Sequence, residues 1–426
     1  MSATTTTSEC LLDTLVTWQD VESELQKSLK TNAKFGEKKR AECLGAMKGF
    51  MSRIALIEPD WTNRDEDLPD KFIVKVATEL GIQEFFKVMA AVSDEPAPEQ
   101  PQPANPEAAA QIQQMVEYHH NIEVETYKII TRDNNPKMQT TKIYASRAFS
   151  ETSPVGFLVC EFVPNTRSIT NYDTIPYERV VSVIDTAAAF SAMGERMSEE
   201  EKKGTVGVTF LEKRIKSFVP ENTIPKVRKI LSEAVGQDFP TEKLDKLMSF
   251  ITLFASNSTG VAENYSRIFE FLGHSPVLNH SDLWGGNMLF TKDSEGQLEF
   301  KALIDFQAPS LSSPGLDVAA ISVTCLSSKD RKIHQEAVIE RYYQTFKANL
   351  RESPVPYTFE QLHDSFELCF PLIAIQLMPI IWLMAKYEKR DEALELARKK
   401  VTGLIEDLIV IQESNMNKFP KFFTKF

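Results

Sequence analysis

Asp282, Asn287 and Asp305 carry the strongest chemical signal in this chain. The first two stand in the run HSDLWGGNMLF; the third follows an apolar stretch at 302–304 and opens the run DFQ. A D-x-x-x-x-N spacing with a second carboxylate after a strand suits phosphoryl transfer. Asp282 can orient an attacking hydroxyl and accept its proton, while Asn287 and Asp305 are hard oxygen donors of the kind Mg²⁺ takes. Alone, H-S-D reads as a capped turn and D-F as the end of a strand. Together they point to a kinase-type catalytic loop.

Phosphoryl transfer also needs a cation on the phosphates, and Lys75 on a β-rich stretch stands where one is wanted. An unpaired ammonium in a dry site is costly, so an acidic residue on the next helix should hold it. Glu123 is the choice, with Glu117 and Glu125 open as competitors on the same segment. The run GAMKGFMS, with Gly49 and Ser52, is a candidate phosphate loop, though it matches no G-x-G-x-x-G pattern and a β-turn explains it equally well. The stretch CEFV ends in Phe162 and Val163, whose backbone groups could face an adenine edge.

These residues need elements to position them. Thr17 as cap and Trp18, Val21, Leu25 and Leu29 on one face predict an amphipathic helix. Residues 52–58 and 71–77 read as strands, the second with Phe72, Val74 and Val76 on one face and Ile73 and Lys75 on the other. The Pro-rich segment 96–106 reads as an exposed loop, Asn105 and Pro106 as a helix start, and the helix as running to residue 130. An apolar strand at 157–163 meets Pro164, which sets an expected domain boundary. Beyond it the pattern is mainly helical, from 180–197 onward and again from 316 to the end, around a β-rich island at 276–306. The expected fold class is α+β: a small β-rich lobe over 1–163 that binds nucleotide, and a larger, mainly helical catalytic and acceptor-binding lobe over 164–426.

Composition narrows the partners. A net charge of −12 and a pI near 5.2 argue against nucleic-acid binding, which needs clustered Lys and Arg. Cys10, Cys43, Cys160, Cys325 and Cys369 include no C-x-x-C pair, so reduced thiols in a cytoplasmic protein are expected. The start MSATTTTSEC has neither a basic n-region nor an apolar h-region, so no targeting signal is expected. The apolar run 369–385 carries Pro371, Gln376 and Pro379 and reads as a buried core helix, not as an integral membrane span. The remaining histidines show no metal-ligand spacing with one another.

The runs HSDLWGGNMLF, ALIDFQ and PGLDVAA resemble the choline-kinase-like and ecdysteroid-kinase-like small-molecule kinases, which are related to aminoglycoside phosphotransferases. The runs TWQDVESELQ, KGFMSRIALIEPDW, CEFVPN and SAMGERMSEEE resemble an expanded nematode branch of that group. The resemblance implies a bilobal protein-kinase-like fold, ATP and Mg²⁺ as cofactors, and a small hydroxylated acceptor. It also implies Asp282 as the catalytic base, Asn287 and Asp305 as metal ligands, Lys75 and Glu123 as the nucleotide pair, and Gly49 and Ser52 in the phosphate loop. His280 and Asp317 would brace the catalytic loop. The family commonly has glycine where this chain has Ser281, which fits if the backbone there is not of the kind only glycine tolerates.

A protein kinase is disfavoured: Gln307 replaces the glycine of D-F-G, and the short connection from Asp305 to Asp317 leaves no room for an activation segment. The competing reading is a pseudokinase that binds nucleotide or a partner without turnover. For an active enzyme the expected acceptor is a small alcohol; steroid-like, choline-like and xenobiotic alcohols all fit the motifs, and a steroid-like or aromatic one is preferred for an apolar pocket to which Trp284, Trp382 and Phe366 could contribute.

Overall fold

The computed structural model describes residues 10–44, 51–65, 67–82, 106–208, 212–213, 215–216, 221–255 and 261–423. Gly49 and residues 96–105 of the Pro-rich segment, Asn105 included, lie outside them. The chain divides into two units, one made of 1–128 and 140–165, the other of 129–139 and 166–426. Each is described by itself.

The first unit opens with helix α1 (Trp18–Leu29), started by a reciprocal cap in which Thr17 Oγ1 accepts the Asp20 N–H and the Asp20 carboxylate accepts the Thr17 N–H. Val21 and Leu25 are buried, as the spacing predicts. Strands β1 (Arg40–Cys43), β2 (Ser52–Glu58) and β3 (Phe72–Ala77) precede the long helix α2 (Pro106–Asp133), and β4 (Ile143–Arg147) and β5 (Phe157–Glu161) follow it. The strands form one antiparallel sheet in the order β1-β2-β3-β5-β4. Phe72, Val74 and Val76 lie in a core with Val21, Leu25, Ile57, Phe157 and Val159, so the period-two pattern placed the buried face of β3 correctly.

The edge strands β1 and β4 were not foreseen, because RAEC and IYASR lack the apolar alternation that marks a half-buried strand. β4 is held by partners distant in sequence: Arg147 forms ion pairs with Asp20 and Glu24 of α1. β5 is shorter than expected and stops at Glu161, so Phe162 and Val163 lie just beyond it.

The second unit begins with the end of α2 and the loop after it. Asp133 pairs with Arg196, and the Gln139 carbonyl accepts the Leu303 N–H at 2.8 Å. Then come β6 (Arg167–Ser168), α3 (Tyr177–Gly194), α4 (Glu199–Lys203), α5 (Ile224–Val235), α6 (Thr241–Ala255), α7 (Val261–Ser266) and α8 (Ile268–Phe271). Strands β7 (Val277–Asn279), β8 (Met288–Lys292), β9 (Leu298–Leu303) and β10 (Ser310–Ser312) form two small antiparallel sheets, β6-β8-β9 and β7-β10. Helices α9 (Gly315–Cys325), α10 (Ser328–Asn349), α11 (Phe359–Glu388) and α12 (Asp391–Lys418) complete the unit. By length and composition α11 could cross a membrane, but 67% of its most apolar window is buried inside the protein, as a core helix requires. The fold is α+β, with a small β-rich unit and a larger, mainly helical one.

Candidate active site

β7 ends at Asn279, and the chain turns through His280–Trp284 and a short 3-10 turn, Gly285–Asn287, into β8. The anchor beneath this loop is Asp317 in the first turn of α9. It is 0% exposed and accepts the backbone N–H of His280 at 2.6 Å and of Ser281 at 3.0 Å. Burial pushes the Asp317 carboxyl above its ordinary range, and the two N–H donors work the other way. Gly315 lets α9 start here: a Cβ on it would lie 2.5 Å from the Ser365 carbonyl oxygen of α11.

The buried His280 ring bridges the loop and the residue that follows β9. Its Nε2 lies 3.1 Å from the Ile304 carbonyl oxygen, and its Nδ1 accepts the Asp282 N–H at 3.3 Å. A ring set between a carbonyl and an N–H carries its proton on Nε2. Phe190 and Phe306 pack against it.

Asn287 Nδ2 donates to the Asp282 carbonyl oxygen at 2.9 Å and to Asp282 Oδ2 at 3.1 Å. Its own carbonyl accepts the N–H of Ile304, the residue before Asp305, at 3.0 Å. Pairing of β8 with β9 therefore brings Asn287 and Asp305 from separate stretches of sequence to the same end of one ladder. Gly285 lets the loop pass close to the residue after β6, since a Cβ there would meet the Ile169 carbonyl oxygen at 2.4 Å.

The backbone at Ser281 is of the kind that favours glycine. Its φ is +66°, in the left-handed region, so the serine does stand where glycine would be at ease. A non-glycine residue there costs about 1–2 kcal/mol. Asp305 is likewise left-handed, at φ +69°. One of these residues adjoins Asp282 and the other is a candidate ligand itself, which fits the habit of functional sites to hold strained backbone.

In the first unit, Lys75 Nζ lies 2.8 Å from Glu123 Oε1 and 2.7 Å from Oε2. Lys75 is 14% exposed at its side chain and Glu123 2%. The competitors are engaged elsewhere: Glu117 accepts from Gln113 and Glu125 pairs with Lys128. Ser52 is buried at the start of β2, paired in register with Ala77. Cys160, close to this pair, has its thiol pushed up to about 12 by burial.

Trp382 and Phe366 are both buried in the second unit. Arg398 lies over the Trp382 ring, and Phe366 packs against Phe370. The sequence reading missed the polar residues around Ser281, namely Asn279, Ser310 and Ser312, whose only local signal is the serine-rich run SLSS. It also missed that His363, Asp364 and Glu367 cluster on one face of α11, where Lys418 pairs with both carboxylates.

Residues 4–416 match the family model described as "DUF1679: Uncharacterized oxidoreductase dhs-27". Over 128 residues the chain is 32% identical to the "Uncharacterized kinase-like protein D1044.1" of Caenorhabditis elegans, spanning 30% of this chain and 32% of that relative. Among solved structures it is similar to the choline kinase of Cryptosporidium parvum Iowa II, at 12% identity over 89% of this chain and 90% of that one, with a TM-score of 0.42. It is also similar to the ethanolamine kinase of Plasmodium vivax, at 13% identity over 88% and 83%, TM-score 0.39. For the macrolide 2'-phosphotransferase of Brachybacterium faecium the values are 11% identity over 89% and 98%, TM-score 0.40. At these TM-scores the likeness carries no argument about function.

Proposed function

The chain belongs to the DUF1679 family, and from the geometry above we propose that it is an ATP-dependent kinase that phosphorylates a hydroxyl of a small molecule. One observation carries the reading: the Asn287 amide bonds both the backbone and the carboxylate of Asp282, which ties the proposed base to a proposed metal ligand. With its Nδ2 committed to Asp282, Asn287 has Oδ1 left to ligate. That oxygen and the Asp305 carboxylate are the hard donors that suit Mg²⁺, which would neutralise phosphate charge when bound.

In this reading Asp282 orients the acceptor hydroxyl and takes its proton as the new O–P bond forms and the bond to the departing ADP oxygen breaks. His280 and Asp317 hold the loop's backbone so that the carboxylate need not reorganise. Lys75 supplies positive charge to the nucleotide phosphates, and Glu123 fixes its ammonium. Ser52 and the backbone at Phe162 and Val163 are assigned to the nucleotide, as is Gly49, which lies outside the described residues.

The acceptor assigned to the helical unit is a small alcohol, with a steroid-like or aromatic one preferred because the long helix α11 is so apolar. The family description speaks of an oxidoreductase. A dinucleotide fold would need a G-x-G-x-x-G turn and a parallel βαβ unit. The sequence contains no G-x-G, and among the described residues every pair of named strands is antiparallel, the isolated bridge of Val206 with Ser310 being parallel.

The test is a screen of hydroxylated metabolites with purified protein and MgATP, read by mass for the gain of a phosphate. Nucleotide binding is measured apart from turnover: at 100 times its dissociation constant MgATP contributes about 2.7 kcal/mol of stability, so the melting temperature should rise only when magnesium is present. A magnesium-dependent rise with no acceptor phosphorylated would favour the pseudokinase. No rise would remove the nucleotide claim.

A further inference from the structure

Ser281 sits in a closed circuit of hydrogen bonds. Asn279 Nδ2 donates to Ser312 Oγ at 3.0 Å, the Ser312 and Ser310 hydroxyls lie 3.1 Å apart, and the Ser310 and Ser281 hydroxyls lie 2.7 Å apart. Ser281 Oγ closes the circuit by donating to the Asn279 carbonyl oxygen at 3.4 Å. An amide nitrogen can only donate and a carbonyl oxygen only accept, so the sense of the ring is forced. Ser312 donates to Ser310, and Ser310 donates to Ser281. Asn279 and Ser310 are both 0% exposed, which takes water out of competition for these bonds.

The ring spans the β7–β10 pair, where Asn279 and Ser310 are in register, and reaches one residue into the loop. That residue has the left-handed backbone, φ +66°, and adjoins Asp282. We propose that Ser310 and Ser312 are positioning residues that clamp Ser281 in its strained conformation and thereby set the orientation of Asp282. A glycine at 281 would hold the same backbone without help, so the serine and the ring form one coupled device. The consequence for turnover rests on the kinase reading, whereas the clamp itself does not.

The experiment compares wild type, Ser310→Ala, Ser281→Gly and the double variant, as full chains. Two readouts are used: amide hydrogen exchange over 280–287, and the kcat and KM of Mg²⁺-dependent ATP turnover. Ser310→Ala removes one buried hydroxyl without adding volume. It should speed loop exchange roughly fivefold, the size of a typical net hydrogen bond, and lower kcat by a similar factor with KM for MgATP unchanged. In the Ser281→Gly background the same substitution should change either readout by less than about twofold, because the ring is already gone and the strain with it. Equal acceleration in both backgrounds would mean that β10 has merely loosened, and no acceleration would mean that the clamp does not exist; either overturns the proposal. Faster exchange with kcat unchanged would overturn its catalytic part. If wild type turns over no ATP, the kinase reading fails on its own, and the exchange comparison still decides the clamp.

Discussion

Asn415 of α12 donates its Nδ2 to the backbone carbonyl oxygen of Glu367 in α11 at 2.7 Å. That carbonyl is the one Pro371 strands, since a proline has no N–H to return to the residue four positions before it. A side chain from the neighbouring helix therefore fills a gap in the α11 ladder, and this is how a helix with an internal proline remains a core element. Asn415→Leu should destabilise the protein by about 1–3 kcal/mol, the cost of an unsatisfied buried carbonyl. In a Pro371→Ala background, which restores the helical N–H, the same substitution should cost much less. Denaturant titration of the four proteins measures the coupling; additive losses would refute the compensation.

The Lys75–Glu123 pair separates a structural from a functional demand. Lys75→Met leaves a buried carboxylate without its cation and should cost about 3–5 kcal/mol. Adding Glu123→Leu should restore most of that stability, because two apolar side chains pack where two charges had to be desolvated. MgATP affinity should stay low in both. Recovery of affinity along with stability would show that Lys75 has no part in binding phosphate.

Asp282 and Asp305 should part company by role. Asp305→Asn should weaken magnesium-dependent nucleotide binding, read by calorimetry. Asp282→Asn should leave that binding nearly intact and lower turnover by about 10²-fold or more, the range lost with a general base. Equal loss of MgATP affinity in both would mean that the roles are misassigned.

Lys400 gives the stability a pH dependence. It belongs to α12, and its buried Nζ donates to the carbonyl oxygens of Asp173 at 2.6 Å and Thr324 at 2.5 Å, while burial brings its pKa down from 10.5 to about 7. Between pH 7 and 10.5 the unfolded chain keeps a proton that the folded chain has released. Stability from this group therefore rises with pH across that window and is lost progressively as pH falls from 10.5 to about 7. The slope is at most about 1.4 kcal/mol per pH unit. Lys400→Met should flatten the curve of unfolding free energy over this range relative to wild type; an unchanged slope would show that the lysine stays charged in the fold.

What was legible in the sequence was whatever short-range chemistry encodes. The Thr17 cap and the buried face of Phe72, Val74 and Val76 follow from turn chemistry and side-chain periodicity, and the burial of α11 from the length and composition of its apolar run. So does the D-x-x-x-x-N run, because the tight turn from Asp282 to Asn287 keeps both residues in one loop. The edge strands β1 and β4 were not legible: an edge strand of polar residues owes its place to the neighbour it pairs with and to ion pairs such as Arg147 with Asp20.

The sequence by itself determined which residues have the chemistry for the site, since donor type, charge and spacing belong to the side chains. The tertiary structure decided which of them meet. It selected Glu123 over Glu117 and Glu125 for Lys75, because β3 and α2 are far apart in the chain and only their packing says which turn of the helix faces the lysine. It joined residues 129–139 to the second unit through Asp133 with Arg196 and Gln139 with Leu303. It also turned Ser281 left-handed, a conformation that no local propensity of serine favours and that is held by Asp317 and Ser310, far along the chain. Contacts between residues distant in sequence depend on the register and packing of whole elements, and that information exists only once the chain has folded.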